Sequence, residues 1–150
     1  MSRSEVVTLT NMCMVYDNNR VLVQNRIGPG WPGIAFPGGH VEKGESFTDS
    51  VIREIFEETG LKIRSPKLCG IKDWINKDGS RFMVLLYKTD KFEGELSSSE
   101  EGEVFWTEIQ NLKNLDLADG MEKQLEIFLN DDLVEQFFFL DGENWIEEIK

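Results

Sequence analysis

The sequence predicts an α/β domain built on a mixed sheet with helices packed against it. Three observations carry this. Strand-like runs outnumber helical ones along the chain. Two amphipathic helical segments interrupt those runs instead of following them as a block. Hydrophobic residues make up 40% of the 150 residues and aromatics 11%, which is enough for a real core and unlike a disordered chain.

The elements follow in order. Val6 to Tyr16 reads as a strand and Val21 to Gln24 as a second, joined by the turn residues Asp17-Asn18-Asn19-Arg20. Ile27 to Gly39, IGPGWPGIAFPGG, reads as a loop because glycine and proline punctuate it throughout. A helix should start at Ser46, where Ser46 and Asp49 have capping-box spacing ahead of an apolar-periodic run. It should stop at Gly60, the residue type that best tolerates a left-handed cap. Leu68 to Ile75 and Phe82 to Thr89 read as strands around the turn Asn76-Lys77-Asp78-Gly79-Ser80. Glu93 to Gly102 is a polar loop before a short strand, Val104 to Thr107. Met121 to Leu129 is helical, with Leu125, Phe128 and Leu129 as its apolar set. Val134 to Leu140 and Trp145 to Ile149 form a C-terminal hairpin turning at Asp141-Gly142-Glu143-Asn144. No repeat or linker breaks this pattern, so residues 1–150 read as one domain.

Charge narrows the partners. A formal charge of −12 argues against a nucleic-acid polymer, whose backbone needs clustered Lys and Arg. It does not disfavour small anions that arrive with Mg²⁺. Cys13 and Cys69 form no metal or redox motif, which suggests reduced thiols in the cytoplasm. The opening MSRSEVVTLT has no apolar signal core, and no run approaches the ~20 apolar residues of a membrane span. The expectation is a cytoplasmic protein with no membrane partner.

The first helix carries the chemistry. At about 100° per residue, Glu54, Glu57 and Glu58 share one face, and Val51, Ile52, Ile55, Phe56 and Thr59 cluster on the other. Like charges at ~4 Å and an effective dielectric near 20 cost about 4 kcal/mol per pair; a bound cation, or a raised pKa, relieves this. Mg²⁺ favours such carboxylate oxygens, together with waters and substrate phosphates. Arg53 stands at i+4 spacing to Glu57. Upstream, Phe36-Pro37-Gly38-Gly39 lets main-chain groups approach a ligand closely. Carboxylates on a helix face are commonly just solvated, so the spacing of the flanking residues decides the matter.

That spacing is specific. Residues 39–61, GHVEKGESFTDSVIREIFEETGL, place Gly39, Glu45, Arg53, Glu54, Ile55, Glu57, Glu58, Gly60 and Leu61 at every specified position of the Nudix box. The chain therefore resembles the Nudix hydrolases over about a seventh of its length, and its element order suits their α/β/α sandwich with a mixed sheet. The resemblance implies hydrolysis of a nucleoside diphosphate linked to another group, using water and Mg²⁺ or Mn²⁺. It implies Glu54, Glu57 and Glu58 as metal ligands with the Gly38 carbonyl as a fourth. Glu57 then belongs to the catalytic set, Arg53 orients the glutamates and Glu45 supports the loop–helix unit. It also implies a general base from the loop Ser99-Glu100-Glu101-Gly102-Glu103. Glu101 is the first choice, since Glu-Gly before a Trp-bearing strand fits best; Glu100 is close behind.

Length, opening strands, FPGGHVEKGE, EGEVFW and Leu117-Ala118-Asp119-Gly120-Met121 resemble the MutT-like branch, which includes hydrolases of oxidised purine nucleoside triphosphates. The substrate expected is such a triphosphate, oxidised or normal, cut to monophosphate and pyrophosphate. Asp119 either reads the base edge or caps the helix after it. Trp31 and Phe36 either stack on a base or belong to the core. Arg26 and His40 are candidates for phosphate. ADP-ribose, sugar nucleotides and dinucleoside polyphosphates are alternative substrates, and a non-catalytic nucleotide-binding module is the alternative function. The upstream signature of coenzyme-A-cleaving relatives is missing, and Pro66 stands too close to the box to be the proline of many ADP-ribose hydrolases. The apolar C-terminal hairpin leaves a homodimer open.

Overall fold

A computed structural model describes residues 2–150. Its strands are β1 Val7–Asp17, β2 Arg20–Arg26, β3 Gly33–Ala35, β4 Lys62–Ile63, β5 Lys67–Ile75, β6 Arg81–Thr89, β7 Phe92–Glu93, β8 Gly102–Glu108, β9 Glu135–Asp141 and β10 Asn144–Ile149; its α-helices are α1 Phe47–Thr59 and α2 Met121–Leu129. The main sheet runs β10-β9-β5-β6-β1-β2-β3, with β8 also paired to β2. It is mixed: β1–β6 and β5–β9 are parallel, and the other pairs are antiparallel.

The two faces carry separate cores. Met12, Met14, Val84 and Leu86 meet Met121, Ile127 and Phe128 of α2. Cys13, Val15, Leu85 and Tyr87 meet Val51 and Ile55 of α1 on the opposite face. Alternation along β1 and β6 sends successive side chains to opposite faces, and this produces the α/β/α layering. The predicted fold class is therefore the observed one.

The sheet forks beside the site. β1 and β2 pair near their turn, Tyr16 opposite Val21 and Asp17 opposite Arg20. Beyond that, β2 turns to β3 and β8, and β1 takes a different partner. The amides of Asn11 and Cys13 donate to the carbonyls of Gly39 and Pro37, and Val41 N–H donates to the Leu9 carbonyl. Residues 37–41 thus zip onto the edge that β2 leaves, and deliver the chain to α1.

Helix α1 follows its local signals. Ser46 Oγ accepts from the Asp49 amide at 3.0 Å, and Gly60 closes the helix at φ 79°. Its apolar face needs one correction. Phe56 is half exposed, while Val51, Ile55 and Thr59 are sealed. The buried stripe is centred on positions 51, 55 and 58–59, and Phe56 lies one residue, about 100°, around from Ile55. The same rotation carries Glu58 inside.

Two segments expected as irregular hold short strands. β3 lies within the 27–39 loop, and β4 pairs with β7 in a separate two-stranded sheet. Pieces of two or three residues carry too little alternation to announce themselves. No helix among the described residues is long and apolar enough to cross a membrane.

Candidate active site

A cavity of about 610 Å³ opens on the α2 side of the sheet, against the fork. Gly38, Gly39, His40, Glu54, Glu58 and Glu101 line it, as do Arg26, Trp31, Lys72, Trp74 and Phe82. Its size suits a nucleotide-sized ligand.

The carboxylate end is built from close approaches. A Cβ on Gly38 would fall on the Asn11 carbonyl oxygen, and one on Gly39 would fall on the Glu54 carboxylate. At Gly38, where the clash is with backbone, only glycine lets the loop lie so close to β1. Buried Asn11 fastens it, accepting from the Gly39 amide at 3.0 Å and donating to Ser50 Oγ at 3.0 Å. The Gly38 amide donates to Glu58 Oε2 at 3.1 Å. Among the described residues no hydrogen bond occupies the Gly38 carbonyl, so this oxygen is free to meet a cation.

The three helix glutamates grade from inside to outside. Glu58 is 6% exposed; the side chains of Glu54 and Glu57 are 14% and 56% exposed. Burial, above all, pushes the Glu58 carboxyl up to about 7, with Glu54 and Glu101 adding repulsion and the Gly38 amide and Arg26 opposing it. A buried carboxylate crowded by two others favours a hard cation, and Glu54, Glu58 and the Gly38 carbonyl are oxygen donors that fit one. The set is not closed: no three acidic, His or Cys side chains form a ready metal cluster among the described residues. Glu57 turns from the cavity toward Arg53, at 3.2 Å.

Arg53 is the hub of this end. It donates to both oxygens of Glu45 at 2.7 and 2.9 Å, to Glu54 at 3.0 Å, to Glu57 at 3.2 Å and to the His40 carbonyl at 2.9 Å. The two-pronged contact from Arg53, helped by the Glu42 amide, holds the Glu45 carboxyl at about 2. Arg53 itself is held above its ordinary range. Glu45 therefore remains ionised at any physiological pH and fixes the guanidinium from behind.

The structure separates the remaining candidates. Glu101 reaches the cavity; Glu100 does not line it. Arg26 lies along the wall, donating to the Trp31 carbonyl at 3.1 Å. His40 sits exposed at the rim. Trp31 is anchored by its indole N–H on the Asp119 carbonyl at 2.7 Å. Two expectations need correction. Phe36 is fully buried and meets Phe128 edge-on at 5.1 Å; it backs the wall and has no free face for a base. Asp119 is exposed and neither lines the cavity nor caps α2, whose N-cap is Gly120 with no side-chain bond. It reaches the site through its backbone and its charge.

Sequence reasoning missed four contributors. Asn11 looked like one more strand residue. Trp74 and Phe82, stacked at 4.4 Å, extend the aromatic wall. Lys72 shares a strand face with Trp74, and Nζ lies 4.3 Å from the Trp31 ring centre. A lysine that breaks the alternation of Ile71-Lys72-Asp73-Trp74 is the one signal that could have found it.

Known proteins agree with this architecture. The family model described as NUDIX domain matches residues 8–128. The uncharacterized Nudix hydrolase YvcI of Bacillus subtilis is 39% identical over 113 residues, 72% of this chain and 70% of that protein. An ADP-ribose pyrophosphatase of Methanocaldococcus jannaschii is 32% identical over 101 residues, 66% of this chain and 60% of that one. Among solved structures, the MutT protein of Bacillus halodurans superposes with a TM-score of 0.77 at 28% identity, covering 94% of this chain and 97% of that one. With the box, the sandwich and these likenesses together, the chain belongs to the Nudix family and is a pyrophosphohydrolase.

Proposed function

We propose that the protein hydrolyses a purine nucleoside triphosphate, normal or oxidised, to the monophosphate and pyrophosphate, with Mg²⁺ or Mn²⁺. One observation supports this most: a single cavity has carboxylates and a free carbonyl at one end and an aromatic wall at the other. Phosphates would lie at the first and a base at the second.

The residue roles proposed are those the resemblance implies. Glu54, Glu58 and the Gly38 carbonyl would hold the metal, with Glu57 joining them by swinging from Arg53 to the cavity; the metal when bound would neutralise phosphate charge and polarise the bridging oxygen. Glu101, opposite the buried Glu58, would take the proton of the attacking water. Arg53, pinned by Glu45, orients Glu54 and Glu57. Arg26 and His40 would contact phosphate. Trp31 would border the base. The free thiols Cys13 and Cys69 fit a reducing, cytoplasmic setting.

The test is a side-by-side assay of oxidised and normal purine nucleoside triphosphates with Mg²⁺, following monophosphate and pyrophosphate. ADP-ribose, sugar nucleotides and dinucleoside polyphosphates serve as competitors. Turnover should be greatest with a triphosphate, and Glu57→Gln should remove most of it without unfolding the protein. Greatest turnover with ADP-ribose would replace the substrate. No turnover of any nucleotide, with binding that persists in EDTA, would point to a non-catalytic binding module.

A further inference from the structure

Lys72 is a buried cation with no partner. It lies near the middle of β5, is 8% exposed, and among the described residues makes no ion pair and no side-chain hydrogen bond. Nζ sits 4.3 Å from the ring centre of Trp31 and 5.6 Å from those of Trp74 and Phe138. Burial depresses its pKa to about 8, against the attraction of Asp119 and Glu147. Aromatic faces offset part of that desolvation, and no protein acceptor among the described residues takes its three N–H donors, which leaves them to what enters the cavity.

Its position defines what can reach it. Lys72 is opposite Val84, and Val84 is opposite Thr10. Two strand spacings, roughly 10 Å, therefore separate it from β1, where residues 37–41 bring in the carboxylate end. Both ends line the same cavity. A nucleotide with its phosphates at the glutamates would present the far edge of its base to Lys72.

An ammonium can only donate. A purine with a keto oxygen at C6 offers that oxygen and N7 as adjacent acceptors; adenine puts an amino donor where the oxygen would be. The surroundings also favour a neutral, flat ring over a second phosphate. Trp31, Trp74 and Phe82 wall this end, and Asp119 and Glu147 already attract the ammonium.

We propose that Lys72 is a specificity-determining residue that reads the acceptor edge of a 6-keto purine, so that guanine and hypoxanthine nucleotides are selected over adenine nucleotides. This rests on the cavity being a nucleotide site, as in the proposed function.

The experiment compares kcat/KM for GTP, ITP and ATP on the wild-type protein and on Lys72→Met. In parallel, calorimetry in EDTA measures binding of GMP, IMP and AMP to both. The wild-type protein should prefer GTP and ITP over ATP by roughly 10- to 100-fold, the cost of one unpaired buried polar group. Lys72→Met should lose that margin on GTP and ITP and leave ATP within a few fold. ITP lacks the 2-amino group, so equal use of ITP and GTP assigns the preference to the keto edge. Lys72→Gln, with both donor and acceptor, should narrow the preference, and it carries the test if the methionine variant fails to fold. Equal losses on all three substrates, or a wild-type protein without preference, would overturn the proposal and leave the hydrolysis standing. No turnover, together with IMP bound over AMP only when Lys72 is present, would overturn the hydrolysis and leave the base reading standing.

Discussion

Replacing Lys72 with methionine should make the metal-free protein more stable at neutral pH. Folding takes this ammonium from a pKa of 10.5 to about 8, so at pH 7 the native state holds a charge it binds less well than the unfolded chain does. The difference corresponds to on the order of 3 kcal/mol. Methionine keeps most of the buried stem and removes the charge. Between pH 8 and 10.5 the unfolded chain binds more protons at this position than the native state, so the contribution of Lys72 to stability rises with pH through that window. The expected result is a stability gain for Lys72→Met that is largest at pH 7 and nearly gone by pH 10.5. Urea unfolding of both proteins at pH 7, 9 and 10.5 measures it, and comparison of the pair cancels every other titrating group. A variant less stable than the parent at pH 7, or a gain that does not change with pH, would refute the reasoning. A gain in stability at a residue proposed to select the base would make Lys72 a place where function and folding pull apart.

Three further outcomes are expected. Glu101→Gln should lower turnover by roughly 10²- to 10⁴-fold and leave the Mg²⁺-induced rise in Tm intact, while Glu100→Gln changes neither; kinetics with thermal melts decide between them. Without metal, the Glu58 contribution to stability should fall as pH rises from about 4.5 to 7, because its native pKa is raised to about 7 and the native state binds the proton more tightly. Mg²⁺ should then raise Tm more at pH 8 than at pH 6, and Glu58→Gln should flatten both trends. Gly38→Ala, which drives a methyl into the Asn11 carbonyl, should lower stability by about 2 kcal/mol or more in denaturant unfolding and impair activity even where the fold survives.

The sequence revealed most where structure is local. Ser46 and Gly60 end α1 through bonds within one turn of the chain, so the residues themselves announce the boundaries. The box glutamates, Arg53 and Glu45 are likewise close in sequence; helical spacing brings Glu54 and Glu57 to Arg53, and the turn ahead of α1 brings Glu45. What was hidden depends on distant partners. The parallel pairing of β5 with β9 places Phe138 by Lys72, and no spacing within either strand reports it. Phe36 looked available because aromatic residues in a glycine-rich loop often are; its burial comes from Phe128, far along the chain. Asp119 has the right neighbours in sequence, but the chain at 116–118, bonded to Ile34, presents its backbone and not its carboxylate to Trp31.

The fork between β1 and β2 divides the labour of the site. Gly38, Asn11 and Lys72 belong to the arm built on β1, β6 and β5. Arg26, Trp31 and Glu101 belong to the arm of β2, β3 and β8 or the segments leading into them. The arms are hydrogen-bonded at the Asp17–Arg20 corner and packed together through Met12, Val84, Val23 and Ile34. Glu101, the proposed general base, and the Gly38 carbonyl, the proposed metal ligand, are thus mounted on opposite jaws of one caliper. Its setting would govern catalysis and base selection together.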